Sequence, residues 1–185
     1  MAYRPKYQSQ RDGTRCQFFN CWVKTTSMLV DAASAGKKVP STQVVRRKAV
    51  KPKCTTGGIF DAIRVLTKMG LAKRARYVDD MPKAKLRSRL LKRSGKVVML
   101  ETDFEGWIDP GERGDFYHAI IVICGEGKGR QKGRVLVGDP YERDKKYKWR
   151  PVGAVISAAM EYAREHGDSQ GTCDVLTVTP PGKKP

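Results

Sequence analysis

Apolar positions recur at Phe19, Trp22, Val23, Leu29, Val30 and Ala33, with Thr26 on the same stripe. This is the one-face spacing of an amphipathic helix. The stripe predicts a helix running from about Cys16 to Ala35-Gly36, where the glycine closes it. A short basic helix is expected from Ser41 to about Val50, stopped by Pro52. Ile59, Ile63, Leu66 and Met69 repeat the helical spacing up to Gly70, and Leu86, Leu90 and Leu91 do so after Met81-Pro82. The character changes at Lys96. Val97-Val98-Met99-Leu100 reads as a short buried strand, Phe116–Cys124 as a long one, Arg134–Val137 as its return and Tyr147–Trp149 as a short addition. The glycines between 125 and 133 fit a hairpin turn better than a phosphate loop, because no helix follows them directly. Pro151 opens a helix with Val152, Val155, Ile156, Ala159 and Ala163 on one face, and Cys173–Thr179 alternates as a last strand. The pattern is that of an α+β domain with a helical N-terminal half and a C-terminal, mainly antiparallel sheet. We read one domain over 1–180: an extended arm at 1–15, a basic helical section at 36–96, a sheet section at 97–179 and a mobile tail at 180–185.

A chain of 185 residues suits one domain with a sizeable core. No apolar run reaches the roughly 20 residues that span a bilayer, and the N-terminus has no signal-peptide pattern. The expectation is synthesis in a cytoplasm. Five cysteines, an odd number, favour a reduced protein over a disulfide framework. No Cys-x-x-Cys pair exists to build a zinc site, so neither metal nor cofactor is expected.

The net charge of +18 is unevenly spread. Residues 36–96 carry 19 Lys or Arg against 3 Asp, whereas the rest carries 18 basic against 16 acidic residues. A field so localised attracts polyanions or acidic protein surfaces. The alternative is a solvated face that keeps the protein soluble. No nucleic-acid motif is present, and Tyr77 is the only aromatic between Phe60 and Phe104, so base-stacking platforms are lacking there.

Candidate chemistry lies in three separated pieces. Cys16 follows the Asp12-Gly13 turn signal and opens the first helical stripe, a position where the helix dipole favours a thiolate. His118, one of only two histidines, lies early in the long strand Phe116–Cys124. Asp139-Pro140 ends the return strand. A cysteine nucleophile needs a base and a group that orients that base. Singly, each piece has a plain structural reading: a small buried thiol, a strand-end histidine, turn chemistry. Cys21-Trp22 is a second candidate for the nucleophile, although Cys21 would lie more than a turn inside a helix begun at Cys16. Asp109 and Asp115 are rival partners for His118, and His166 reads as a helix C-cap.

Together, Gln10 six positions before Cys16, the strand beginning His118-Ala119-Ile120-Ile121-Val122 and the terminal Asp139-Pro140 resemble papain-like cysteine peptidases. The likeness is greatest to the bacteriocin-processing branch and its relatives among bacteriophage virion (tail) proteins, and it extends from about residue 8 to residue 179. The resemblance implies Cys16 as nucleophile, His118 as its base, Asp139 as the orienting acid and Gln10 as an oxyanion donor beside the Cys16 amide. It further implies a phage virion-associated enzyme that cuts peptide or amide bonds, with cell-wall peptidoglycan peptides as substrate. The basic section 36–96 would then meet anionic polymers or acidic virion proteins. Two departures stand out. Gln17-Phe18 follow Cys16 where the family has a small residue, and Arg15, not glutamine, lies six positions before Cys21. An inactive papain-like structural component of a virion, or a basic nucleic-acid-binding protein, is the alternative reading.

Overall fold

The computed structural model describes residues 3–10, 20–52, 55–103, 117–142, 146–167 and 171–182. The first three helices are α1 (Cys21–Ser34), α2 (Thr42–Ala49) and α3 (Ile59–Lys68). Strand β1 (Ala75–Pro82) and helix α4 (Lys83–Leu91) follow, then β2 (Val97–Asp103), β3 (Tyr117–Ile123), β4 (Arg134–Gly138) and β5 (Lys148–Pro151). Helix α5 (Val152–Glu165) and β6 (Thr172–Val178) complete the order. The strands form one antiparallel sheet in the order β1-β6-β2-β3-β4-β5. Among the described residues, no helix is long and apolar enough to cross a membrane.

Side chains alternate across a strand, and β3 uses the alternation to hold two cores apart. Ala119, Ile121 and Ile123 join Trp22, Leu29 and Leu66 of the α1–α3 layer. Ile120 and Val122 join Leu86 and Leu90 of α4 and Val155 and Ile156 of α5. Both faces of the sheet are covered, which is why β2 and β3 read as unbroken apolar runs. A buried hydrogen bond of 2.8 Å from the Thr25 hydroxyl to the Ala119 carbonyl sets the height of α1 against β3.

Two expectations need correction. The section 36–96 is not wholly helical, because β1 pairs with β6 from Ala75↔Val178 to Pro82↔Thr172, with a register break between Val78 and Met81. As an edge strand with one buried residue it presents charges where an interior strand presents apolar side chains, so no run of hydrophobics marks it. The helix expected from Cys16 starts, among the described residues, at Cys21 after its N-cap Asn20; Cys16 itself lies outside the described residues.

The described part of the N-terminal arm is extended and packed. Tyr3 donates to Asp31 of α1 at 2.7 Å, the Pro5 carbonyl accepts from Tyr147 at 3.0 Å, and Tyr7 donates to the carbonyl of Asp139. The Gln10 N–H closes the strap on the Pro140 carbonyl at 2.9 Å. The turn that follows β4 is thus held from outside.

Gly138 has the same effect from inside. A Cβ built there would lie 2.5 Å from Tyr147 Cε1 and 2.9 Å from Ile121 Cγ1. We predict that Gly138→Ala costs about 1–3 kcal/mol by overpacking, measured by denaturant unfolding. A variant within about 0.5 kcal/mol of the parent would show that the Tyr147 ring yields freely.

Candidate active site

Helix α1 brings Cys21 to its first position, with Asn20 as N-cap. Asparagine is a favoured cap residue, yet its side chain makes no capping bond here. Instead Asn20 Oδ1 accepts from Arg46 Nη2 at 2.9 Å. Arg46, 6% exposed, also donates from Nη1 to the Pro52 carbonyl at 2.7 Å, and its guanidinium lies 5.5 Å from the Trp22 ring centroid. Trp22 Nε1 donates to the Thr55 carbonyl at 3.1 Å. Burial lowers the Arg46 pKa from its ordinary value, and the neighbouring Cys21 opposes that shift. The start of α1 is therefore pinned by a cation from α2 and by the approach to α3.

His118 lies at the second position of β3, opposite Thr102 of β2, and is 4% exposed. Its Nε2 is 2.6 Å from Asp139 Oδ1, just past the end of β4. The same Asp139 oxygen accepts the Tyr141 N–H at 2.8 Å. Cys21 hydrogen-bonds the imidazole as well. Burial is the largest influence on His118 and disfavours the imidazolium. The charge and hydrogen bond of Asp139, followed by those of Cys21, outweigh it and raise the pKa from 6.5 to about 10. Three chemically complementary side chains from α1, β3 and the β4 turn thus meet in one buried row.

A groove of about 360 Å³ is lined by Thr56, Gly57, Gly58, Glu101, Tyr162 and His166, among others. Burial first, then the charges of Glu101 and Cys21, push the Tyr162 hydroxyl pKa up. His166 caps α5 and stacks on Tyr162 with ring centroids 4.1 Å apart. Gly57 is required by close approach, since a Cβ there would meet Asp61 Oδ2 at 2.7 Å and Trp22 Cε2 at 2.8 Å.

Of the sequence candidates, the fold brings His118 and Asp139 together. Cys16 lies outside the described residues, as do Asp109, Asp115 and Gln17-Phe18. Gln10 is 2% exposed on the Asp139-Pro140 side, and its Oε1 is buried without a hydrogen-bond partner among the described residues. Among the described residues, Cys21 is the cysteine that hydrogen-bonds His118. One objection to Cys21 was a helix begun at Cys16, which α1 removes by starting at Cys21; the other, Arg15 six positions before it, falls on a residue outside the described residues. Arg46, Glu101 and Tyr162 were not singled out from sequence; of the three, only Arg46, within the basic section, carried any signal at all.

The architecture is similar to two solved structures. One is the peptidase domain of Streptococcus ComA, a bi-functional ABC transporter involved in a quorum sensing pathway. It matches with a TM-score of 0.54 and 12% identity over 96% of this chain and 98% of that chain. The other is UfSP from C. elegans, with a TM-score of 0.56 and 13% identity over 98% of this chain. Only 35% of the UfSP chain is covered, so this protein corresponds to about a third of it. No protein-family model matches the sequence, and no curated protein does. At such identities the likeness establishes the fold, which is that of the papain-like cysteine peptidases.

The raised pKa of His118 makes stability depend on pH. A group whose folded pKa exceeds its unfolded value contributes stability that is full below the unfolded pKa and fades as pH rises through the folded one. We predict that the Tm gap between the parent and Asp139→Asn is constant from pH 5.5 to about 6.5 and closes as pH rises through about 10. A gap that widens with pH would show that His118 is held neutral.

Proposed function

We propose that the protein is a cysteine-dependent hydrolase of peptide or amide bonds in which Cys21, rather than Cys16, is the nucleophile. The observation that carries this reading is the group of Cys21, His118 and Asp139, with Nε2 2.6 Å from the carboxylate and the thiol hydrogen-bonded to the imidazole.

In the proposed cycle the Cys21 thiolate attacks the carbonyl carbon, forming a C–S bond and a tetrahedral oxyanion. The amide nitrogen leaves with the proton held by His118, and the C–N bond breaks. Water, deprotonated by His118, then attacks the thioester and releases the acid, returning the thiol–imidazole pair. Asp139 fixes the ring direction and stabilises the imidazolium throughout. The backbone at the start of α1 faces the developing oxyanion, and losing such a donor costs about 3 kcal/mol in hydrolases of this type. The Gln-x5-Cys spacing ties Gln10 to Cys16. With Cys21 as nucleophile we assign Gln10 to bracing the Asp139-Pro140 turn, through its 2.9 Å bond to the Pro140 carbonyl.

For substrate and location we extend the sequence resemblance: a phage virion (tail) peptidase acting on cell-wall peptides. The open groove beside Tyr162 and Gly57-Gly58 supports an extended peptide as substrate.

Two experiments test these proposals. Iodoacetamide labelling mapped by mass spectrometry is expected to mark Cys21 first, to persist in Cys16→Ser, and to slow at least tenfold in His118→Ala. Preferential labelling of Cys16, or indifference to His118, overturns the assignment. Incubation with purified peptidoglycan is expected to release peptide fragments with new termini, and Cys21→Ser is expected to abolish their release. If casein or synthetic peptides are cut while peptidoglycan stays intact, the wall substrate is wrong and the hydrolase reading stands.

A further inference from the structure

At the end of the sheet opposite His118 lies a second, larger groove of about 650 Å³. Its walls come from three places: Lys73 and Arg74 just before β1 with Arg76 on it, Lys85 and Arg89 on α4 with Lys92 at its C-terminus, and Lys96 just before β2. Between these cations stand the hydroxyls of Ser88, Ser94, Thr177 and Thr179. No carboxylate lines it, and Ala75 is its only apolar residue. The separation from the thiol follows from the register. Lys96 precedes Val97, whereas Thr102 is the β2 partner of His118. Six residues of strand span about 20 Å.

The concentration of positive charge here is not relieved within the protein. Among the described residues none of these seven cations is within ion-pair distance of a carboxylate. Arg89 donates to the Thr177 hydroxyl at 2.9 Å. Burial and then the nearby charge of Arg76 lower its pKa from the ordinary value. Arg76, Lys85 and Lys92 are exposed and converge on the same concavity from β1 and α4. Like charges held this close cost stability unless a counter-charge arrives from outside.

We propose that this groove is a binding site for a ligand carrying several adjacent phosphate groups, separate from the catalytic row. Guanidinium, ammonium and hydroxyl donors in alternation match the many acceptor oxygens of phosphates. An acidic protein partner is the poorer fit, because stable protein interfaces centre on buried aromatic or apolar anchors and this groove has none. Base stacking is excluded on the same ground. Recognition is therefore of the phosphates alone. The sugar–phosphate backbone of a nucleic acid and a compact polyphosphate are two sources of that one chemistry.

Fluorescence anisotropy on the full chain tests the site with three probes: a labelled 20-nucleotide single-stranded DNA, inorganic tripolyphosphate as competitor, and polyglutamate as competitor. The triple variant Arg76→Glu/Lys85→Glu/Lys92→Glu is compared with Lys37→Glu/Arg47→Glu/Lys68→Glu, which makes the same charge change at exposed positions elsewhere. DNA affinity is expected to fall at least 30-fold in the first variant and less than 5-fold in the second. The slope of log affinity against log salt is expected to shrink by about 2, the loss of three phosphate contacts to a single strand. Displacement by tripolyphosphate at micromolar concentration identifies a compact ligand, and displacement only at millimolar concentration identifies the polymer. Equal losses in the two variants, or displacement by polyglutamate as effective as by tripolyphosphate, overturn the proposal. Cys21 labelling by iodoacetamide is unchanged in the groove variant if the sites are separate.

Discussion

A buried imidazole 2.6 Å from a buried carboxylate is the constraint on which this site depends. Taking two ionisable groups out of water is expensive, and their attraction repays the cost only when geometry and additional hydrogen bonds are good. Asp139 receives its second bond from the Tyr141 N–H, so the turn after β4 must keep one shape. Gly138 lets Tyr147 and Ile121 close on that turn, and the N-terminal strap grips its outer side through Tyr7 and Gln10. Residues remote in sequence thus serve one short contact, as distances of 2.7–3.0 Å from Tyr3 and Tyr147 to the rest of the arm's anchorage show.

The thiol side is supported by different means. A helix N-terminus is a weak electrostatic device unless its position is fixed, since its influence fades within one turn. Arg46 supplies the fixing. It leaves the solvated basic surface of its neighbours, crosses to Asn20 and Pro52, and packs against Trp22. A lysine could supply the charge there but not the two-pronged reach, because guanidinium donors are arranged in a rigid fork. Thr25 adds a mechanical link one turn further on, tying the helix to the residue after His118. Packing of α1 on β3 therefore sets the approach of Cys21 to His118, and the hydrogen bond between the two side chains completes it.

Much of this was legible in the chain and some was not, for identifiable reasons. The α1 stripe, the buried β2 and β3 runs and the pair His118…Asp139-Pro140 carry strong periodic or punctuation signals, and the α+β layout follows from them. The helix start does not, because Phe19 and Trp22 extend the apolar spacing backwards past Asn20 with no proline or glycine to stop it. A helix begun at Cys16 was one of two grounds for preferring Cys16. The Gln10–Cys16 spacing reinforced it, although Gln10 packs on the Asp139 turn. Strand β1 was missed because an edge strand with a register break and an Asp79-Asp80 pair has neither alternation nor an apolar run. The partnership of Arg46 with Asn20 spans 26 residues and has no local signature.

The two ends of the sheet solve opposite electrostatic problems. At the His118 end, the imidazole and the Asp139 carboxylate are buried and paired, so small displacements have large energetic consequences and the surrounding backbone is braced on both sides. At the Lys96 end, charges are many, partly solvated and of one sign, so no single contact is critical but their sum is unfavourable without a counter-ion. Antiparallel β2 and β3 connect the ends rigidly through seven paired positions, from Val97↔Ile123 to Asp103↔Tyr117. A ligand that neutralises the Lys96 end relieves repulsion there without requiring any movement at His118. The physical expectation for such an arrangement is recruitment: the anion holds the protein in place while the thiol row stays as it was built.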